Sequence, residues 1–402
     1  MTTIIRADAA HDFLALVPVL AGYRPARSLL CVAFEGNRTS AVLRHDLPDG
    51  PRVDEVVASL VGTLCRIPGI DGIVAIAYGD RPFDGAGLPH ADVLESVVER
   101  AERAGFAVRD ALTVAPNGWG SLLDADLPVD GRPLRLIEES AAVSAGSGAV
   151  TRLAEGLVDS AADLVRIPDP DPALAAAVGE VLDGMADRVG HAAELYDRVE
   201  RAMGDAVDPI ILVERIVTGR SSGAAEELGW LLELTAQPAI RDAIMLQAAF
   251  GPVVGELALY AEEEGLGEPS AQPTPEPSGR ATRRPCREEG ERVDGFLSRL
   301  MLGRSTIRPD AERVRNMLDV LVIAIGNAPT GRRTGAFCIA AWLSWALGHG
   351  SAAANLIDLA ISETPDHTMA RLLHGFLALG ELPEWAFSKP PAETGRTGGA
   401  ES

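Results

Sequence analysis

An α+β or α/β amino-terminal domain followed by mostly α-helical domains is the fold class this sequence predicts. Three observations predict it. The runs SLLCVAF (Ser28–Phe34) and GIVAIAY (Gly72–Tyr78) are apolar at nearly every position, as strands covered on both faces are. These runs alternate with amphipathic helical stretches, an arrangement that builds a sheet with helices packed on it. Beyond about Gly131 the strand-like runs stop and only helical periodicity remains.

The elements follow in order. Asp12–Ala21 is a short apolar helix that Pro18 should end or kink. Gly22-Tyr23-Arg24-Pro25 is a turn into the first strand. Gly36-Asn37 fits a two-residue hairpin, with Thr39–Asp46 as the returning strand. Val53–Arg66 carries apolar residues at helical spacing: Val53, Val56, Val57, Leu60, Val61 and Leu64. Ala91–Ala104 is the next helix. Phe106–Val114 is a third strand region, and Pro116-Asn117-Gly118 makes a hairpin before Trp119. Strand order is not readable from these patterns.

Later helices are expected at Ala173–Met203, Pro209–Thr218, Gly223–Leu234 and Ala239–Glu263, then Val293–Leu302, Asp310–Ile325, Gly335–Leu347, Ala352–Ser362 and His367–Leu379. Between them, residues 265–292 are rich in Pro, Glu, Ser and Arg and cannot bury a core. The expected layout is therefore an α/β domain over 1–135, a helical region over 136–264, a flexible linker over 265–292, a helical domain over 293–388 and a disordered tail from 389 to 402.

Composition narrows the function. The 402 residues carry a formal charge of −22, which repels nucleic-acid phosphates and anionic lipid surfaces. No nucleic-acid or membrane partner is expected. Lys389 is the only lysine, so the body of the chain holds neither a Schiff-base lysine nor a Walker lysine. Cys31, Cys65, Cys286 and Cys338 are far apart and lack C-x-x-C spacing, so no disulfide framework or zinc ribbon is indicated. The start, MTTIIRADAAHDF, has no apolar signal core. No run of about 18 apolar residues spans a bilayer. A cytoplasmic location is expected.

Several phrases stand out as a set. They are Gly22-Tyr23-Arg24-Pro25 with Ser28-Leu29-Leu30, Arg44 and Asp46-Leu47-Pro48, Asp110-Ala111-Leu112 with Trp119, Ile240-Arg241-Asp242-Ala243, Leu302-Gly303-Arg304-Ser305-Thr306, and the Ala341–Gly348 run. Together they resemble the actinobacterial family known as domain of unknown function 4192, over most of residues 8–387 outside the linker; Glu138–Asp169 departs from its pattern. The resemblance implies a bacterial cytoplasmic protein and no particular activity.

Ala336–Phe387 adds a second likeness. Ala341, Ala353, Ala360 and Pro365 stand where a tetratricopeptide repeat places its small residues and closing proline. A single TPR-like helix pair cannot bury its own face, since such arrays need about three units. The helices from Val293 to Ile325 are expected to supply its neighbours.

Motifs that could carry chemistry are few. Gly219-Arg220-Ser221-Ser222-Gly223 satisfies G-x-S-x-G, but a helix precedes it where a nucleophile elbow needs a strand. Ser221 or Ser222 reads instead as the cap of the following helix, with Glu226 and Glu227 in its first turn. Gly146-Ser147-Gly148 is a fragment of a phosphate loop without G-x-G-x-x-G. The seven histidines form no H-x-x-x-H pair, and no metal or other cofactor is predicted. Arg280, Arg283, Arg284 and Arg287 make a basic island in the linker, read as solvated chain.

The one site expectation is a small polar ligand near Arg24, Arg44, Asp46 and Asp80, which lie at strand ends or turns. Against it stands a plain ion pair, Arg24 with Asp46. The function expected first is a binding or scaffold protein, non-enzymatic, with a protein partner on the C-terminal helices. A small-ligand sensor or enzyme using the N-terminal sheet is the alternative, favoured by a polar pocket at the strand ends.

Overall fold

The computed structural model describes residues 9–143, 148–186, 203–265 and 287–388. They divide into two compact units, one reaching Ala161 with Phe387 and Ser388, the other Ala162–Ala386.

The first unit is built on a five-stranded sheet of order β2-β1-β3-β4-β5. Its strands are β1 (Ser28–Glu35), β2 (Arg38–Asp46), β3 (Gly72–Tyr78), β4 (Ala107–Ala115) and β5 (Gly118–Ser121). Only β3 and β4 run parallel; the other neighbours are antiparallel. Gly36 opens the β1–β2 hairpin at φ +55, the left-handed first position that a primed turn gives to glycine.

Both faces of the sheet are covered, which is why β1 and β3 read as apolar throughout. Leu29, Cys31, Ala33, Ile73, Ala75 and Ala77 pack on α2 (Val53–Arg66) and α3 (Ala91–Arg103). Their neighbours Leu30, Val32, Phe34, Val74 and Ile76 face the other way. That side is covered by α1 (Ala10–Ala21) through Leu14 and Val17, and by residues of and beside α4 (Arg135–Glu138), Leu134, Leu136 and Ile137. Pro18 does not end α1, which runs on to Ala21 and closes at Gly22 in the left-handed conformation. A short α5 (Gly148–Glu155) follows.

The second unit is helical. It contains α6 (Pro172–Ala186), α7 (Pro209–Val217), α8 (Ala225–Ala236), α9 (Pro238–Phe250), α10 (Pro252–Gly265), α11 (Arg287–Met301), α12 (Ala311–Asn327), α13 (Thr334–Ala346), α14 (Gly350–Glu363) and α15 (Thr368–Ala378). The single helix expected over Ala239–Glu263 is two helices. Gly251, at φ +98, and the proline after it break the ladder between α9 and α10. The linker expected over 265–292 is helical from Arg287 on, and its earlier part lies outside the described residues. So do Ser147, Arg280, Arg283, Arg284 and Cys286.

One apolar core serves the helices on both sides of the Pro-rich segment, from Val165 to Trp385. Every residue of α13 is buried. Ala341, Ala353 and Ala360, the small residues of the repeat-like pair, are fully buried in that core. Gly335 shows how closely the helices approach, since a Cβ there would stand 2.1 Å from the Thr235 carbonyl oxygen. Among the described residues no helix is long and apolar enough to cross a membrane.

Candidate functional site

The sheet of the first unit has two ends with different chemistry. At one end β4 begins while β1 and β5 finish. Here the β3–β4 register slips: Ile73 pairs with Val108 and Val74 with Asp110, leaving Arg109 as an extra residue in β4. Bulges are uncommon between parallel strands, and they re-aim the side chains that follow them. Val108 packs with the α2 and α3 layer. The slip brings Asp110 opposite Val74, whose side chain faces α1.

An open cleft of about 470 Å³ lies at this end, walled by His11 of α1, Arg109 and Asp110 of β4, Trp119 and Ser121 of β5, and Asp124 and Arg132 of the loop beyond. Ala9, Ala10, Leu123 and Leu136 complete the lining. The loop is tied back to the sheet, because Arg132 and Trp119 exchange two backbone hydrogen bonds of 2.7 and 2.9 Å. The Trp119 indole N–H donates to the Pro133 carbonyl at 3.2 Å.

The polar side chains of the wall are held in place. The Ser121 hydroxyl donates to Asp110 at 2.5 Å, and the same carboxylate oxygen accepts from the Ala111 amide at 2.8 Å. Arg132 donates twice to one oxygen of Asp124, at 2.6 and 3.1 Å. That pairing, with the Asp126 amide, holds the Asp124 carboxyl below its ordinary pKa. Arg109 lies over the Phe34 ring, 4.4 Å from its centroid, and donates to the Gly36 carbonyl and to Asp71.

The opposite end, where β3 and β4 finish, carries three of the four residues expected from sequence. Arg44 donates to Asp46 at 2.6 Å and to the Ser28 hydroxyl at 3.2 Å. Asp80 follows β3 and is 3.9 Å from Arg27. Arg24 is not with them. It donates to Asp159 at 3.1 Å and to the Leu157 carbonyl, so the expected Arg24–Asp46 pair does not form. The reason is a long-range contact, since Tyr23 forms a bridge with Val158 and the following arginine is carried along. Arg27 and His90, the non-glycine residues with positive φ among the described residues, also lie at this end. The His90 ring rests on Gly79, where a Cβ would fall 2.1 Å from Nε2. Burial keeps its pKa below the ordinary histidine value, as does Arg81.

The G-x-S-x-G segment is structural, though not as a simple cap. The residue capping α8 is Ala224, which offers no side-chain bond. Instead Glu227, 1% exposed, reaches back. Its carboxylate accepts from both serine hydroxyls, from the Ser222 amide and from Arg215. Among the described residues no group of three metal-ligating side chains is found.

Sequence reading missed the cleft. Asp110 and Trp119 stand out in the sequence only as part of the phrases that carry the family resemblance. Arg109, Ser121, Asp124 and Arg132 carry no local signal, because a bulge and a loop bring them together.

The family described as Domain of unknown function (DUF4192) matches residues 11–259 and 298–384, most of the chain. No curated protein and no solved structure matches it.

Proposed function

From the membership of this chain in the DUF4192 family, a description that names no activity, we propose that its first unit is a small-ligand-binding α/β module, a sensor or an enzyme, whose site is the cleft at the start of β4. The observation that carries this reading is the bulge at Arg109, which sets charged side chains into the wall of a 470 Å³ cleft. Ionisable side chains set beside an aromatic wall suit a small polar ligand better than a protein surface.

The test is a thermal-shift screen of the full chain against polar metabolites. Leu123→Trp fills the cleft from an exposed position, while Asp80→Ala alters the other end of the sheet. The expected result is a ligand-induced shift lost in Leu123→Trp and kept in Asp80→Ala. The reverse pattern would move the site to the Arg44, Asp46 and Asp80 end, and a screen with no shift would refute ligand binding.

A second reading is protein contact through the C-terminal helices. Leu372 and Leu379, 65% and 68% exposed and two turns apart by α15, favour it. Truncation near residue 290 is a poor test, because it cuts the shared core. Loss of a co-purifying partner in Leu372→Asp/Leu379→Asp, with the melting temperature unchanged, supports it; an unchanged set of partners counts against it. The chain is read as cytoplasmic, and the thiols of Cys31, Cys65 and Cys338, unpaired among the described residues, support a reducing compartment.

A further inference from the structure

The geometry points to a small organic oxyanion, a carboxylate or a phosphate monoester, as the class of ligand that the cleft takes, an inference that rests on the reading of the cleft as a ligand site. Each of the two arginines in the wall is fixed by part of its guanidinium. Arg132 spends Nε and one Nη2 bond on a single oxygen of Asp124. Its Nη1 has no hydrogen-bond partner among the described residues. Arg109 spends Nη2 on the Gly36 carbonyl and Asp71 and lays its face on Phe34. Its Nε lies against Gly72, where a Cβ would stand 2.7 Å from it, and its Nη1 has no hydrogen-bond partner among the described residues. Both side chains retain solvent access, at 31% and 37% exposure, and both line the cleft.

A guanidinium held by one edge has already lost much of its rotamer freedom, so its remaining N–H groups cost little more to order around an oxyanion. Planar, forked donors match carboxylate and phosphate oxygens. The acceptors in the wall are more fully used. Asp124 is occupied by Arg132 and by the Asp126 amide. One oxygen of Asp110 is occupied by Ser121 and Ala111. Its other oxygen is left to meet a ligand hydroxyl. Arginine donors, an Asp110 oxygen and the His11 ring as acceptors, and the apolar surfaces of Trp119 and Leu136 describe a hydroxylated oxyanion with a short carbon body. In a chain of net charge −22, two arginines balancing two aspartates make this wall formally neutral, so the case for an oxyanion rests on donor geometry and not on net charge.

The test is isothermal titration calorimetry on the full chain at fixed ionic strength with four probes: glycerol 3-phosphate, lactate, glycerol and ethanolamine. One or both anions bind, and the two neutral or cationic probes do not. Binding weakens at least ten-fold in Arg132→Gln and in Arg109→Gln and is unchanged in Arg27→Gln, at the other end of the sheet. The ratio of glycerol 3-phosphate to lactate affinity separates the phosphate from the carboxylate. Arg109→Lys, which keeps the charge but not the fork, guards against loss of fold and gives an intermediate affinity. Ethanolamine or glycerol binding as tightly as the anions, and lost in Leu123→Trp, would overturn the oxyanion class while leaving the cleft as a ligand site. Anion binding indifferent to both arginine substitutions would overturn it too. Binding of no probe, together with a metabolite screen without a shift, would remove the underlying reading as well.

Discussion

Glu227→Ala is the substitution whose cost the structure defines best. The carboxylate is 1% exposed and holds together the turn that precedes α8. It accepts from Ser221 Oγ, from Ser222 Oγ at 2.9 Å, from the Ser222 amide at 3.2 Å and from Arg215 Nη2 at 3.2 Å. Removing it strands those donors at once. A buried donor left unsatisfied costs about 1–3 kcal/mol, and a buried pair broken on one side about 3–5 kcal/mol. Arg215 is about one-third exposed and can turn to water, and the serine hydroxyls can rotate, so the lower end applies. The expected loss is about 3 kcal/mol, which for a unit of this size lowers the melting temperature by roughly 6–12 °C. Glu227→Gln keeps the shape but turns an NH₂ group towards donors, and falls between wild type and alanine. Urea unfolding followed by tryptophan emission measures all three. A Glu227→Ala loss below about 1 kcal/mol would refute the reasoning, because the carboxylate would then not be the hub of that turn. Labelling of Ser221 by a fluorophosphonate in the native protein would refute it independently, by making the serine a nucleophile.

Three further outcomes are expected. Gly335→Ala drives a methyl group onto the Thr235 carbonyl and should cost on the order of 3 kcal/mol, the upper range for overpacking, read as a melting-temperature drop with the first unit intact. The two hydrogen bonds from Arg313 hold the Glu214 carboxyl below its ordinary pKa. Because the folded value is the depressed one, the pair's contribution is present above the unfolded carboxylate range and is lost as pH falls through the folded value. Stability of Glu214→Gln should therefore fall less steeply than wild type below about pH 4.5, and parallel acid titrations would deny the pairing. Burial raises the thiols of Cys31 and Cys338 to about 12, whereas Cys65 is exposed. In a Cys286→Ser background a thiol reagent at pH 8 should modify Cys65 alone until denaturant is added, and rapid labelling of a second cysteine would contradict the burial.

How much of this was legible in the sequence depends on the range of the interactions. Val53–Arg66 and Gly72–Tyr78 match α2 and β3 end for end, because burial on one or both faces imprints a period on neighbouring residues. Gly251-Pro252 was a readable stop inside Ala239–Glu263 that the apolar periodicity on either side overrode. Sheet order was not readable, since runs apolar on both faces do not say which strand lies beside which. Arg24 meeting Asp159, and Arg109 displaced by a bulge, depend on chain that is distant in sequence or on register, and neither leaves a local pattern. The serines at 221 and 222 were placed correctly in the turn before α8, but the bond runs the other way: the helix reaches back to them.

The five tryptophans have a use that their packing does not announce. Each is at least nine-tenths buried, and each donates its indole N–H to a main-chain carbonyl: Trp119 to Pro133, Trp230 to Val207, Trp342 to Met301, Trp345 to Glu381 and Trp385 to Ala346. Trp119 is the one in the first unit, and it stands in the wall of the cleft. The protein thus comes with its own optical labels. The difference in emission between wild type and Trp119→Phe is then a dye-free gauge of whether the cleft is filled. In Trp119→Phe, the remaining signal follows the melting of the helical unit alone.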